Sequence, residues 1–151
     1  MGKMWLVFVV GAALSWGTYG PLMHNGQVAL GSPIRAFLCV GVAYFLLAVL
    51  VPGGILTLQD EPGQFTAAGT GWGLLAGTVG AIGACCVIFA FRNGGSPIYV
   101  MPLIFGGAPI VNTIVSMIQH PPKTAPNPLF FVGIAMAGVA AYLILHYKPA
   151  A

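Results

Sequence analysis

The chain of 151 residues is 58% hydrophobic and only 5% charged, with a mean hydropathy of +0.95. A soluble domain carries about 25% charged residues, so five Lys/Arg and two Asp/Glu are too few to cover a water-facing surface. The net charge of +3, scattered along the chain, also argues against a nucleic-acid-binding protein.

Five apolar segments are each long enough for a transmembrane helix, which needs about 20 residues. We predict spans at residues 4–23, 33–51, 71–91, 97–118 and 128–147. Helices are expected because barrel strands would show alternating segments of about ten residues. The sequence thus predicts an all-α integral membrane protein in which residues 1–151 form one five-helix transmembrane domain. The long connection at 52–70 holds both acidic residues, Asp60 and Glu61.

The first span has an apolar start and a polar side. A short Ala-x-Ser sequence ending at Ser15 resembles a signal-peptidase site, but the apolar pattern continues past Trp16. We therefore favour a membrane span over a cleaved leader. Ser15, Thr18 and Tyr19 follow one side of this helix, with Trp16 beside them. Polar residues inside a membrane indicate a functional site by default.

The tetrapeptide Gly-Ser-Pro-Ile precedes both the second and the fourth span. Ser32 and Ser96 are predicted N-caps, because a serine hydroxyl accepts a bond from a free backbone N–H. Pro33 and Pro97 are then the first helical residues, where a missing N–H costs nothing. Asn127, followed by a proline, repeats the device before the fifth span.

Two arginines lie near helix ends on the membrane face opposite the N-terminus. Arg35 is in the first turn of the second span, and Arg92 ends the third. The second and fourth spans also begin on this face, and helix N-termini carry partial positive charge. The face would therefore suit an anionic group. The alternative is that Arg35 and Arg92 only reach towards lipid headgroups.

The third span carries the clearest predicted packing surface. Its small residues share an arc of about 120° on a helical wheel: Gly69, Gly73, Ala76, Gly77, Gly80, Gly83 and Ala84. Small residues at this spacing let membrane helices approach closely. The fifth span repeats the pattern more weakly, with Gly133, Ala137, Ala140 and Ala141. We select Gly73, Gly77, Gly80 and Ala84 as the packing residues.

The fourth span combines two prolines with a polar stripe. Pro102 and Pro109 lie seven residues apart, and Pro109 follows a glycine pair, so a helix break or kink is predicted. Asn112, Ser116 and Gln119 fall on one side of the helix. A kinked helix with a nearby polar residue is typical of transporter sites. The alternative is hydrogen bonding between helices without a ligand.

The three cysteines, Cys39, Cys85 and Cys86, all fall in apolar segments. We interpret them as small packing residues rather than as metal ligands or a disulfide. No metal and no cofactor are therefore expected. The sequence also contains no catalytic constellation of Ser, His and carboxylate at one depth, so we do not expect an enzyme.

Several segments together resemble one transporter family. ALSWGTYG looks like the opening helix of the drug/metabolite transporter superfamily, in its EamA-like branch, and IRAFLCVGVAYFLLAVLVP looks like the second helix. The segment from GLLAGTVG to IVSMI is similar to the third and fourth helices, with Pro109 matching a helix-four proline. FFVGIAMAGVAAYLILHYKP resembles the fifth helix.

The resemblance implies a half-transporter, because most members of this superfamily contain two such repeats and this chain has one. It implies a substrate cavity between helices one to four of two paired halves. Residues of this chain that map to the cavity are Trp16, Tyr19, Arg35, Asn112 and Ser116. With Arg92 from the anionic face, these are our candidate substrate-binding residues.

One departure concerns proton coupling. The related small multidrug resistance proteins use a glutamate in helix one, and this chain has no carboxylate there. We place His24, His120 and His146 at helix ends, so no proton carrier is expected inside the membrane. Export of cationic drugs by that mechanism is therefore disfavoured.

Two functions remain: transport of a small polar or anionic metabolite, or a non-transporting assembly subunit that keeps the transporter fold. In either case the expected partners are the lipid bilayer and a second five-helix chain. Lys3, Lys123 and the N-terminal amine balance Arg35, Arg92 and Lys148 across the membrane. Because loop charge sets insertion, we predict dual topology and an antiparallel homodimer. The alternative is pairing with an oppositely oriented half-transporter from another gene. We expect the protein in the bacterial inner membrane.

Overall fold

The computed structural model of the chain describes residues 3–59, 63 and 65–149, which are helical with short connections and contain no strand. The acidic pair Asp60 and Glu61 lies outside the described residues. The chain divides into two compact units, an N-terminal unit of Met1–Asn93 and a C-terminal unit of Gly94–Ala151. The expectation of one domain over residues 1–151 stays a prediction.

Five helices in the described part are long and apolar enough to cross a membrane. They are α1 (Met4–Leu30), α2 (Pro33–Leu58), α3 (Ala67–Arg92), α4 (Pro97–Gln119) and α5 (Pro128–His146). The predicted all-α class and the five spans are confirmed. This architecture indicates a multi-pass integral membrane protein.

Two helices extend well past the ends of the predicted spans. The first helix continues past residue 23 and stops only at Gly31, whose φ of +59° is left-handed and whose N–H bonds to the carbonyl of Val28. The second helix continues past Pro52 to Leu58. A π-helical segment at Leu46–Leu50 precedes this proline. Such a change of hydrogen bonding lets a helix accommodate a residue without an N–H.

The predicted caps form at two of three positions. The hydroxyl of Ser32 accepts a bond from the N–H of Arg35 at 3.4 Å, and Oδ1 of Asn127 accepts from the N–H of Leu129 at 2.9 Å. The carbonyl oxygens of both serines accept a backbone bond, from Ala36 at 3.2 Å and from Val100 at 2.9 Å, but the predicted side-chain cap at Ser96 is absent. The two Gly-Ser-Pro-Ile segments therefore start their helices differently.

In the N-terminal unit, α1, α2 and α3 contact one another. Its core is small and lies towards the end at which α1 and α3 finish and α2 begins. The buried apolar residues are Met23, Ala36, Ala84, Val87, Ile88 and Phe91. The amide of Gln27 donates a hydrogen bond to the carbonyl of Ile88 at 3.4 Å, which ties α1 to α3.

In the C-terminal unit, α4 packs closely against α5 at a glycine. A Cβ added to Gly106 would lie 3.0 Å from the Cβ of Ala141 and 3.2 Å from the carbonyl oxygen of Ala137. One turn along, a Cβ at Gly138 would lie 3.4 Å from the side chain of Ile110. The predicted small-residue face of the fifth span is confirmed at Ala137 and Ala141, whereas Gly106 was not predicted.

The predicted packing face on α3, unlike that on α5, is mostly open. A Cβ added to Gly73, Gly77 or Gly80 would meet no atom of the described residues within 4 Å, and all three residues are exposed. Ala84, at the end of this face, is buried. The role of these four residues in helix packing stays a prediction, and three of them are free to contact another molecule.

Candidate functional site

The C-terminal unit contains an open groove of about 580 Å³, which we name the polar groove. It lies between the last turns of α4, the connection that follows, and the start of α5. Five of its lining side chains form hydrogen bonds readily: Asn112, Thr113, Ser116, His120 and Thr124. The others are Met117, Pro122, Pro126 and Phe130. None of the described residues that line the groove is an acid, a lysine or an arginine.

Helical spacing places the polar side chains together. Residues three or four apart share a face of a helix, so Asn112, Ser116 and His120 follow one another along α4. The helix ends at Gln119, and the N–H of His120 bonds to the carbonyl of Ser116 at 2.8 Å. A proline-rich connection then returns the chain to the cap at Asn127, which starts α5. Of the predicted stripe, only Gln119 is not part of the groove lining.

The polar groove offers neutral hydrogen-bonding groups. Asn112, Ser116, His120 and Thr124 are exposed, and Thr113 is half-buried, so their polar atoms are accessible. Hydroxyl and amide groups both donate and accept hydrogen bonds. The ring of Phe130 supplies an apolar wall on one side. This combination suits a small polar molecule and does not require it to be charged.

The N-terminal unit contains a second open groove of about 360 Å³ between α1 and α2, which we name the α1–α2 groove. The lining residues with a polar side-chain group are Ser15, Tyr19 and Cys39. The remaining lining is apolar: Leu22, Met23, Gly26, Leu30, Ala36, Val40 and Ala43. The hydroxyl of Tyr19 is shielded from solvent and has no hydrogen-bond partner among the described residues.

The predicted polar side of α1 separates into different roles. Tyr19 and Ser15 line the α1–α2 groove, whereas the hydroxyl of Thr18 bonds back to the carbonyl of Leu14 at 2.9 Å. Trp16 packs on Tyr19 with ring centroids 5.8 Å apart and an interplanar angle of 54°. Trp16 is therefore placed to orient the Tyr19 ring.

The sequence predicts a cavity shared by Trp16, Tyr19, Asn112 and Ser116. The first two belong to the N-terminal unit and the last two to the C-terminal unit. Asn112 and Ser116 come together in the polar groove, as their spacing predicts. The joining of the two pairs stays a prediction.

The two arginines each have a local contact. Nη1 of Arg35 donates to the carbonyl of Leu30 at 3.4 Å, at the end of α1. The guanidinium of Arg92 lies 5.9 Å from the centroid of the Phe89 ring. Both arginines are exposed and lie towards the same end of the N-terminal unit. Their binding of an anion stays a prediction.

The prolines predicted to break the fourth span lie within a helix. The helix α4 is continuous from Pro97 to Gln119, and both Pro102 and Pro109 lie inside it. The predicted break of the helix at these prolines is therefore wrong. A kink, which leaves the helix continuous, stays a prediction.

Two polar residues on α1 were missed from the candidate site. Because α1 continues to Leu30, His24 lies six residues before its end rather than at it. Its Nδ1 is shielded and has no partner among the described residues, and its ring packs edge-on against Phe91 at 5.7 Å. Gln27 faces α3 as well, through its bond to Ile88. The sequence between residues 23 and 30 contains no proline and no Lys, Arg, Asp or Glu. This pattern could have indicated that the helix continues past residue 23.

Among the described residues, no group of three or more His, Cys, Asp or Glu side chains is placed to hold a metal ion. The three cysteines are free, with Cys39 and Cys86 exposed and Cys85 half-buried. The described residues that could bind a ligand are therefore mainly the hydrogen-bonding side chains of the two grooves.

Comparison of the chain with protein-family models, with curated proteins and with solved structures found no match in any of the three. The relation to the drug/metabolite transporter superfamily therefore rests on the sequence motifs alone. It stays a prediction, alongside the confirmed helix count.

Proposed function

We propose that this protein transports a small polar or anionic metabolite across a membrane, as a dimeric half-transporter of the EamA-like five-helix type. The observation that carries the proposal is the polar groove, in which Asn112 and Ser116 lie beside three further hydrogen-bonding side chains. Such a groove within an apolar helical protein needs a wet or ligand-filled surrounding, because polar groups facing lipid are costly.

The depth of the groove supports transport. The helix α4 has 23 residues and is therefore about 35 Å long. Asn112 lies seven residues before its last residue, which corresponds to about 10 Å. The groove thus extends from the connection after α4 into the membrane-spanning part of the helix, as an entrance for a polar solute would.

The open side of the polar groove supports a dimer. One five-helix repeat leaves the groove without an outer wall, and a second copy in the opposite orientation would supply one. Members of the drug/metabolite transporter superfamily, which the motifs resemble, combine two repeats. We place the protein in the bacterial inner membrane on the same basis.

In this proposal, Asn112 and Ser116 hydrogen-bond the substrate, and Trp16 and Tyr19 complete the cavity. Arg35 and Arg92 would favour an anionic substrate at one membrane face. Replacement of both arginines by lysine separates their two roles, because lysine keeps the charge but loses the planar two-point contact. Unchanged uptake in that double variant would assign the arginines to lipid headgroups.

The proposal is tested by uptake into liposomes that contain the purified full chain, with a panel of radiolabelled neutral and anionic metabolites. The Asn112→Leu variant should lose uptake while keeping its helix content, because leucine cannot hydrogen-bond the solute. Val111→Leu is the matched control, since Val111 is adjacent, exposed and not part of the groove lining. Equal uptake by both variants would contradict a substrate role for Asn112.

A second candidate function is a non-transporting assembly subunit. The open glycine face of α3 at Gly73, Gly77 and Gly80 favours it, because such faces are typical of contacts between membrane helices. The same liposome experiment separates the two functions. A protein that dimerises but moves no solute in the panel would favour assembly.

A further inference from the structure

We propose that His120 sets the charge selectivity of the polar groove. With its imidazole protonated, the groove admits small anions in preference to cations, and with the imidazole neutral this preference is lost. The proposal deepens the proposed function and rests on it, because it concerns the class of substrate that the same groove accepts and how pH controls that class.

The composition of the polar groove leaves its charge to one residue. Among the described residues that line it, His120 is the only one with an ionisable side chain. The remaining lining, from α4, the connection and the start of α5, consists of amide, hydroxyl, thioether, proline and phenyl groups. Histidine is the side chain that ordinarily changes charge between pH 5 and 8. One proton therefore converts this lining from neutral to positive.

The neighbouring charges do not compete with this change. Neither α4 nor α5 contains an Asp, Glu, Lys or Arg. Lys123 lies three residues along the connection, is exposed, and is not part of the lining; a lysine keeps its charge between pH 5 and 8, so its contribution is constant. His146 ends α5, sixteen residues after Phe130, or about 24 Å along the helix axis.

The position of His120 places its charge within reach of a bound solute. The residue directly follows Gln119, the last residue of α4, and its N–H bonds to the carbonyl of Ser116 at 2.8 Å. This spacing corresponds to about 6 Å along the helix axis. His120 is exposed, so protons reach it from water. A charge acts across such a distance without touching the solute, so the proposal does not depend on the direction of the ring.

The other polar side chains of the groove cannot select by charge. Asn112, Thr113, Ser116 and Thr124 carry amide or hydroxyl groups, which both donate and accept hydrogen bonds. Such groups bind anions, cations and neutral solutes alike. They therefore account for the binding of a polar molecule, whereas His120 decides its sign of charge.

The size of the effect follows from Coulomb's law. For unit charges about 6 Å apart in water at 0.15 M salt, protonation of His120 should change the ratio of anion to cation entry by about threefold. The apolar parts of the lining exclude some water and raise this value. At Asn112, about 12 Å from His120 along the helix, the change should be smaller because salt screens it further.

The test uses two small thiol reagents of opposite charge as probes of the groove. These are 2-sulfonatoethyl and 2-(trimethylammonio)ethyl methanethiosulfonate, which form a mixed disulfide with a thiolate and release methanesulfinate. The Ser116→Cys substitution supplies the reporter thiol in the full chain, held in phosphatidylcholine nanodiscs at 0.15 M salt. Both probes attack the same thiolate, so the ratio of their rates is independent of how that thiol ionises.

The reporter can be read without removing the native cysteines. Trypsin cleaves after Arg92 and Lys123, and the fragment 93–123 contains no native cysteine. Mass spectrometry of this fragment therefore gives the rate of each probe at the reporter alone.

The ratio of the anionic to the cationic rate should rise about threefold between pH 8 and pH 5.5. His120→Gln is the matched control, because glutamine keeps a polar side chain without a charge, and its ratio should stay low at both pH values. His120→Lys should give a high ratio at both. An Asn112→Cys reporter should show a smaller rise than Ser116→Cys.

Four results would overturn the proposal. A ratio at Ser116→Cys that does not change with pH would mean that His120 does not control the groove. A rise that persists in His120→Gln, or that is larger at Asn112→Cys, would place the titrating group elsewhere. Failure of both probes to react would show that the groove admits no solute.

The same assay separates this proposal from the proposed function. A rise in the ratio that His120→Gln abolishes, in a protein that moves no solute into liposomes, would support the charge selectivity and contradict transport. A constant ratio in a protein that takes up a metabolite would contradict the role of His120 and leave transport in place.

Discussion

The glycines of α4 and α3 have different surroundings in this protein. At Gly106 in α4 the helix α5 lies so close that an added Cβ would be 3.0 Å from a neighbouring atom. At Gly73, Gly77 and Gly80 in α3, an added Cβ would have no neighbour within 4 Å in the part of the chain that the structure describes. A small-residue pattern therefore indicates that a helix can be approached closely, whereas the partner is decided by the rest of the fold.

The comparison separates internal from external contacts. The α4–α5 contact is complete within the C-terminal unit, where Gly106 meets Ala137 and Ala141. The α3 face is longer and richer in glycine, yet it remains open. Because close backbone contact stabilises helix association in lipid, the open face is the better candidate for a contact with another copy.

The largest expected effect is at the closed contact. Gly106→Leu should destabilise the protein by about 1–3 kcal/mol, because the added side chain would overlap the backbone of α5. The measurement is the free energy of unfolding in mixed micelles. Gly107→Leu is the matched control, since a Cβ there would meet nothing within 4 Å. If both variants unfolded alike, the close α4–α5 contact would be contradicted.

The next effect is expected at the open face. Gly77→Leu should leave the unfolding of the monomer nearly unchanged but weaken dimerisation in liposomes about tenfold, or about 1.4 kcal/mol. The measurement is the dimer fraction by crosslinking at decreasing protein-to-lipid ratios. Val79→Leu, at an exposed position, is the control. A dimer as strong as that of the unaltered protein would assign this face to lipid.

A third contact depends on a hydrogen bond rather than on glycine. Gln27→Leu removes the bond to the carbonyl of Ile88 and should lower the unfolding free energy by about 1 kcal/mol. The equivalent change Gln119→Leu, at an exposed residue at the end of α4, should have little effect. A loss confined to Gln119→Leu would reverse this ranking of the two residues.

The smallest expected effect compares the two Gly-Ser-Pro-Ile segments. Ser32→Ala removes a cap bond of 3.4 Å and should cost about 0.5 kcal/mol, at the lower end of measured caps. Ser96→Ala removes no side-chain cap and should be neutral. Unfolding titrations of the two variants make the comparison directly, and equal losses would refute the assigned difference in capping.

Much of the fold was predictable because each span carries its own signal. Apolar length gave the five helices, and the Ser-Pro and Asn-Pro pairs located the starts of α2, α4 and α5. The end of α1 was not predicted, since the first span was expected to stop at residue 23 whereas the helix continues to Leu30 and is capped by Gly31. The glycine Gly106 was missed because its importance depends on where α5 lies.

The candidate site was predictable only in part, for a similar reason. The spacing of Asn112 and Ser116 placed them on one side of α4, and they share the polar groove. The addition of Thr124 depends on how the proline-rich connection folds, which no periodic pattern encodes. The unpartnered state of the Tyr19 hydroxyl likewise follows from packing, since the sequence alone indicates only that a polar atom is present.

The lengths of the helices have a consequence for the membrane itself. The helices α1, α2 and α3 have 26 or 27 residues, whereas α5 has 19, so their lengths differ by roughly 10 Å. In a bilayer with a hydrocarbon core of about 30 Å, α5 crosses almost upright. The longer helices must tilt steeply or extend beyond the hydrocarbon, which costs free energy that rises as the bilayer thins. A change in lipid chain length should therefore affect the N-terminal unit, with its α1–α2 groove, more than it affects α5.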